Sequence, residues 1–218
     1  MDAGITYRNQ QDPRRALVIK LYFANTSPYA RKARMTIMEK GLASQIELIF
    51  QNPFEESPDL KAANPLSKVP TLITEDGTAI YDSRIICRYL NSLSPRSNLY
   101  PKDSKQWAVQ TGEALCDGML DALFDLVMER RRSDQQQSEL WMGRWTAAFF
   151  NACEEAERTL ETFEGDLTIA QIALGAALGY ACFRTPDLDW RHGNDRLAKW
   201  YGRFEQRASM LATDPEVV

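Results

Sequence analysis

Three short stretches of this chain carry residue types that could act on a small anionic thiol. Ser27-Pro28-Tyr29-Ala30 places a hydroxyl directly after an apolar run, Leu17-Val18-Ile19-Lys20-Leu21-Tyr22-Phe23, and at the head of an amphipathic segment from Arg31 to Lys40. Lys68-Val69-Pro70 places an apolar residue before a proline, and Asp82-Ser83 sets an acid beside a hydroxyl at a second helix start. A free thiol of pKa ~8.5 is only a few per cent ionised at neutral pH, and half ionisation at pH 7 requires a shift of about 1.5 units, or about 2 kcal/mol. A hydroxyl donating to a thiolate supplies ~1.5–3 kcal/mol, and a helix N-terminus adds ~0.3–1 kcal/mol. Ser27 is placed for both, and Pro28 at the first helical position sacrifices no hydrogen bond. Each stretch also has a plainer reading. Ser27 alone is a helix cap, Val69-Pro70 an ordinary trans proline at a strand start, Asp82-Ser83 a ligand-free N-cap pair, and Lys68 a solvated lysine.

The elements that must position these residues follow from periodicity. Residues 17–23 are short, apolar and β-branched at Val18 and Ile19, which predicts a buried strand. Residues 28–40 read as a helix, with Ala30, Ala33 and Ile37 on one face and Gly41 as its stop. Ile46, Leu48 and Phe50 alternate as a second strand. Thr71-Leu72-Ile73 and Ala79-Ile80-Tyr81 flank Glu75-Asp76-Gly77 as a hairpin. Ser83 to Leu93 predicts a helix that buries Ile86, Tyr89 and Leu90. The order is βαβ, a short irregular or helical piece, then ββα, which is an α/β thioredoxin-like layout over residues 17–93.

Proline divides the rest. Eight of ten prolines lie at or before Pro101 and none between Pro101 and Pro186, so the long proline-free stretch suits helices. Residues 94–102 read as a linker, and 103–218 as an all-α domain with helical patterns near 103–132, 137–163, 168–182 and 194–208. Residues 129–137 read as a solvated helix end or turn, with a binding role as the alternative. Thr168-Ile169-Ala170-Gln171 has the form of a capping box ahead of a segment apolar nearly all round, which belongs in a core. Residues 1–16 are polar, lack an apolar leader core and read as a loose tail.

Composition narrows the partners. A net charge of −4 without a dominant basic cluster argues against nucleic acid and anionic membranes. Apolar runs fall short of the ~18–20 residues of a membrane span. Cys87, Cys116, Cys153 and Cys182 are scattered, and His192 has no partner at ligand spacing, so no metal is expected. Buried free thiols suit a reducing compartment, hence a cytoplasmic location.

In order and on these elements, the motifs Ser27-Pro28-Tyr29-Ala30-Arg31-Lys32, Asn64-Pro65-Leu66-Ser67-Lys68-Val69-Pro70 and Tyr81-Asp82-Ser83-Arg84-Ile85-Ile86 resemble those of cytosolic glutathione transferases, specifically serine-type bacterial members. Residues 17–93 resemble the family's glutathione-binding domain and 103–208 its helical domain. The resemblance implies glutathione as co-substrate, no metal and a homodimer. It implies that Ser27 stabilises the glutathione thiolate and that Val69, before a cis Pro70, pairs its backbone with the cysteinyl unit. Asp82 would hold the γ-glutamyl ammonium, Ser83 and its helix N-terminus the neighbouring carboxylate, and Lys68 the glycyl carboxylate. The implied activity is conjugation of glutathione to a small apolar electrophile, or peroxide reduction. A non-catalytic glutathione-binding or regulatory protein and a glutathione-dependent disulfide or dehydroascorbate reductase are the alternatives. The second substrate would lie between the domains, near Met119, Phe124 and Met128. Some residues depart from the family pattern. Asp82 stands where many members have Glu, and Gln171 where Asp is usual. Glu55 is an acid where relatives often carry a polar or basic contact, and is not expected to be a ligand. Ser27 and Ala30 stand where redox-active relatives have cysteines, which removes the protein nucleophile for mixed-disulfide chemistry.

Overall fold

The computed structural model describes residues 18–55 and 57–215, so the expected tail over 1–16 lies outside the described residues. Ile19, Leu21 and Phe23 are buried and alternate with half-buried Lys20 and Tyr22 in strand β1 (Ile19–Phe23). Helix α1 (Pro28–Glu39) turns back over the sheet and ends where Gly41 takes φ +68°, a conformation costly for residues with a Cβ. Strand β2 (Ile46–Phe50), helix α2 (Pro58–Ala63), strands β3 (Thr71–Ile73) and β4 (Ala79–Ile80) and helix α3 (Ser83–Leu93) complete this part. The sheet order is β2-β1-β3-β4. Strand β1 pairs in parallel with β2, Leu21 opposite Leu48, and antiparallel with β3, Leu21 opposite Leu72. This is the thioredoxin-like arrangement.

Ile19, Leu21, Ala33, Ile37, Ile46, Leu72, Ile86 and Leu90 form one core between sheet and helices. Full burial of each large aliphatic side chain contributes about 1.5–3 kcal/mol. The alternation of Ile46, Leu48 and Phe50 does not translate into one buried face. Strand β2 is at the sheet edge, and only Ile46 reaches this core, while Leu48 and Phe50 are exposed.

The second part is helical: α4 (Gln106–Arg130), α5 (Glu139–Arg158), α6 (Ile169–Arg184), α7 (Asp195–Phe204) and α8 (Ala208–Leu211). Helix α6 is buried from Ile169 through Ala181, as its all-round apolar character predicts. Its neighbours approach closely. A Cβ on Gly175 would lie within 2.7 Å of Phe204 Cδ1, and one on Gly179 within 2.6 Å of Arg31 Nη1. The expected capping box is corrected here. Thr168 is the residue before the helix, but its hydroxyl is buried without a partner among the described residues. Gln171 does not reach back to the Thr168 backbone; its amide donates to the Asp166 carbonyl at 3.2 Å, so the loop before the helix takes the bond that the box needed.

Helix α1 joins the two parts because both of its sides are covered. Ala33 and Ile37 face the sheet core, while Met35 belongs to the helical core.

Candidate functional site

A cleft of about 1060 Å³ opens between the loops at the ends of the strands and helices α4 and α6. Ser27, Lys68, Val69, Pro70, Asp82 and Ser83 all line it. Ser27 is the N-cap of α1, and its Oγ accepts from the Ala30 N–H at 3.2 Å. That bond uses one acceptor lone pair. The hydroxyl proton is committed to no other described residue, and a serine hydroxyl is a donor as well as an acceptor. Capping and donation to a ligand are therefore compatible at this residue.

The loop before Pro70 is held from behind. Asn64, which is fully buried, donates to the Lys68 carbonyl at 3.3 Å and to Thr71 Oγ1 at 2.9 Å, and accepts from the Leu66 N–H at 2.9 Å. Thr71 Oγ1 donates to the same Lys68 carbonyl at 2.7 Å. The Val69–Pro70 peptide bond is cis. Val69 is buried, and Lys68 extends exposed along the cleft.

Asp82 caps α3 by accepting from the Arg84 N–H at 3.0 Å. Ser83 is buried and opens the helix, where unpaired N–H groups and the dipole favour an anion. Glu55 does not line the cleft; it accepts from Asn52 Nδ2. Of the apolar residues on α4, Phe124 and Met128 face the cleft, whereas Met119 is buried in the helical core.

Sequence reasoning missed a buried ionic network beneath the site. Lys32 is 0% exposed, and its Nζ lies 2.6 Å from Asp117 Oδ1 and 3.4 Å from Glu113 Oε1. Arg84 Nε reaches Asp117 Oδ2 at 2.7 Å, and the Tyr100 hydroxyl donates to Glu113 at 3.1 Å. Burial works against the Lys32 charge, but the Asp117 carboxylate foremost, with Glu113, more than offsets it and holds the ammonium above its ordinary pKa. Burial pushes the Glu113 carboxyl up, with Lys32 opposing. Asp117 thus ties α1, α3 and α4 together, fixing the helix that Ser27 opens relative to the helix that Ser83 opens. One turn further along α4, Asp121 accepts from the Tyr29 hydroxyl at 2.6 Å. Burial foremost, then Asp121, raises the Tyr29 hydroxyl well above the usual tyrosine range, so it stays a donor. The signal available in the sequence was the four-residue spacing of Glu113, Asp117, Asp121 and Asp125.

Among the described residues no cluster of three or more His, Cys, Asp or Glu side chains could hold a metal, and no helix is long and apolar enough to cross a membrane. The arrangement can orient a thiolate at Ser27, pair an extended backbone at Val69 and receive a carboxylate at Ser83.

Comparison with known proteins bears on what occupies such a cleft. Residues 26–93 match the family model for the glutathione S-transferase N-terminal domain, and residues 128–203 that for the C-terminal domain. The chain is 32% identical over 208 residues to the uncharacterized GST-like protein YibF of Escherichia coli K12, covering 90% of this chain and 98% of that protein. A glutathione S-transferase from Methylobacillus flagellatus, solved with glutathione bound, is similar with a TM-score of 0.84 and 34% identity, over 90% of this chain and 99% of that one. A Pseudomonas fluorescens Pf-5 glutathione transferase family member bound to S-(propanoic acid)-glutathione is similar with a TM-score of 0.82 and 35% identity, over 90% and 98% of the two chains.

Proposed function

The chain belongs to the glutathione S-transferase family, and we propose that its cleft binds glutathione and activates the thiol as a nucleophile. The observation that carries this reading is the Ser27 hydroxyl, whose cap bond leaves its proton free in the same cleft as Val69 and Ser83. In the proposed complex the γ-glutamyl carboxylate lies at the N-terminus of α3 with Ser83, and Asp82 faces the neighbouring ammonium. Val69 pairs its backbone with the cysteinyl unit beside the cis Pro70, and Lys68 meets the glycyl carboxylate. The sulfur then lies at the head of α1, where Ser27 donates to it and the helix end favours its charge.

Glutathione supplies the nucleophile, and the protein supplies ionisation and orientation. The thiolate attacks an electrophilic carbon, a carbon–sulfur bond forms, and the leaving group departs with its electron pair. Ser27 remains a hydrogen-bond donor throughout and forms no covalent bond. Phe124 and Met128 offer the second substrate an apolar wall. Four free cysteines, three of them buried, support a cytoplasmic setting. Exposed Ile85 on α3 and Trp107 on α4, the latter 72% accessible, offer apolar surface to a second copy, in keeping with a homodimer.

Two measurements test the function together. Calorimetric titration with glutathione is expected to show binding. Turnover of a chromogenic aryl halide, or of an organic hydroperoxide, is expected to require glutathione. Binding without turnover in either class would place the chain among non-catalytic glutathione-binding proteins instead.

A further inference from the structure

The cleft has a cationic end that glutathione binding as proposed leaves unused. Helix α4 orders the cleft along its axis. Arg84 meets it at Asp117, Tyr29 at Asp121 and Phe124, and Phe54 at Arg131. At ~1.5 Å per residue, Arg131 lies about 10 Å beyond Phe124. Tyr29 is two residues from Ser27, and Ser27, Phe124 and Arg131 line the one cleft. Arg184 and Tyr180, from α6, line the same cleft.

Basic residues at helix C-termini commonly do no more than complement the dipole. The partners here distinguish these residues from that background. Of the three consecutive arginines closing α4, Arg130 pairs with Asp187 at 2.9 Å and Arg132 with Glu129 at 3.2 Å. Arg131, the one that lines the cleft, has no carboxylate within ion-pair distance among the described residues, and neither has Arg184. Each lies over an aromatic ring, Arg131 at 5.9 Å from the centre of Phe54 and Arg184 at 4.2 Å from that of Phe183. Tyr180 is 5% exposed as a residue and lines the cleft, and no described side chain or backbone group bonds its hydroxyl, which is not among the buried unpartnered atoms and so remains open to a ligand. All three line the one cleft; burial raises the Tyr180 hydroxyl, and the charges of Arg184 and Arg131 work against that rise. The acids on this wall lie on the other side of Met128: Asp121 holds Tyr29, and Asp125 faces the charge of Lys68.

We propose that the second substrate carries an acid group, as an aromatic electrophile with a carboxylate, and that Arg131, Arg184 and Tyr180 receive that group while Phe124 and Met128 pack the ring. The proposal rests on the transferase reading and replaces its wholly apolar electrophile with an amphipathic anion. The acid group is a handle and does not react. The thiolate forms its bond to the activated ring carbon, and a halide or comparable group leaves with the electron pair of the bond that breaks.

Preformed conjugates test the subsite without relying on turnover. Calorimetry compares a glutathione conjugate bearing a nitrobenzoate group with its carboxamide counterpart, alongside glutathione itself. The carboxylate conjugate is expected to bind about tenfold tighter or more, with the gap narrowing as salt rises. Arg131→Gln and Arg184→Gln should each bring it down toward the carboxamide's affinity. Equal or tighter binding of the carboxamide by the unmodified chain, with glutathione still binding, overturns the anionic subsite alone. Failure of glutathione to bind overturns the transferase reading and this proposal with it.

Discussion

Replacing Ser27 separates its two possible duties. The hydroxyl caps α1 through the Ala30 N–H at 3.2 Å, and in the proposed complex it also donates to the glutathione sulfur. Loss of a serine cap to alanine costs about 1 kcal/mol of stability, whereas loss to glycine costs only a few tenths. Loss of a hydrogen bond to a charged group costs about 1.5–3 kcal/mol, which is about 1–2 units in the thiol pKa. Ser27→Ala and Ser27→Gly should therefore differ in folding stability by roughly half to one kcal/mol, yet raise the pKa of bound glutathione by the same amount. With the pKa displaced by that amount, the conjugation rate at a pH below the thiol pKa should fall about 10–100-fold in both variants.

The assay is a pH titration of the thiolate absorbance of the glutathione complex, run beside denaturant unfolding of the free protein. Ser27→Thr keeps a hydroxyl and is expected to recover most of the thiolate. If both Ala and Gly variants leave the bound thiol's pKa unmoved while Ala alone lowers stability, Ser27 is a cap and nothing more. The mechanism would then have to place the thiolate's partner elsewhere, even with the fold unchanged.

Other substitutions test the frame around the site. Lys32→Met should destabilise the protein by about 3–5 kcal/mol, because it leaves Glu113 and Asp117 buried without their main counter-charge; a loss under ~1 kcal/mol in urea unfolding would mean the network relaxes. Gly175→Ala gains about 1 kcal/mol in helix propensity, yet sets a Cβ against the Phe204 ring, where overpacking costs about 1–3 kcal/mol; the midpoint of thermal unfolding should fall, and a rise would show that Phe204 moves freely. Burial works to raise the Glu39 carboxyl, but the bonds from Arg207 at 2.8 Å and Ser209 at 2.6 Å hold it below its ordinary 4.5. Its contribution is thus present above pH 4.5 and lost as the pH falls through the lowered folded value. The stability gap between the unmodified chain and Glu39→Gln should shrink on acidification; a gap that widens would reverse the assignment.

What could be read from the sequence, and what could not, divides by the range of the interactions. The three motifs and the elements carrying them were legible because a strand run, a helix start before Pro28 and a proline after Val69 are local signals. Helix α1 was legible only on one side. Ala30, Ala33 and Ile37 mark one apolar face, of which Ala33 and Ile37 lie in the sheet core, and the charged residues between them carry no local sign of a partner. The structure buries Lys32 completely, and Arg31, Arg34 and Lys40 nearly so. A lysine is buried this way only when paired, and its partners lie more than eighty residues away on α4. No window around Lys32 reports them. Thr168 failed for the opposite reason: its local pattern was that of a capping box, but Gln171 found a nearer acceptor in the Asp166 carbonyl. Leu48 and Phe50 alternate as expected of a strand, but a sheet edge is a property of topology.

The same distinction determines how the site is held. Ser27 and Ser83 open different helices and share no direct bond among the described residues, so their separation depends on what anchors α1 to α3. Asp117 is that anchor: Lys32 approaches it from α1 and Arg84 from α3, at 2.6 and 2.7 Å. Lys32 and Arg84 belong to the recognisable motifs, but the carboxylate between them does not. Asp117→Asn keeps the size and one acceptor but removes the charge from between two cations. Its cost therefore falls on the relative placement of two helix N-termini, one for the sulfur and one for the carboxylate of the same ligand. A ligand bridging both ends detects such a shift more sharply than one filling either end alone. The loss of affinity for glutathione should accordingly exceed the loss for its isolated γ-glutamyl fragment, and equal losses for the two would show that Asp117 does not set the spacing.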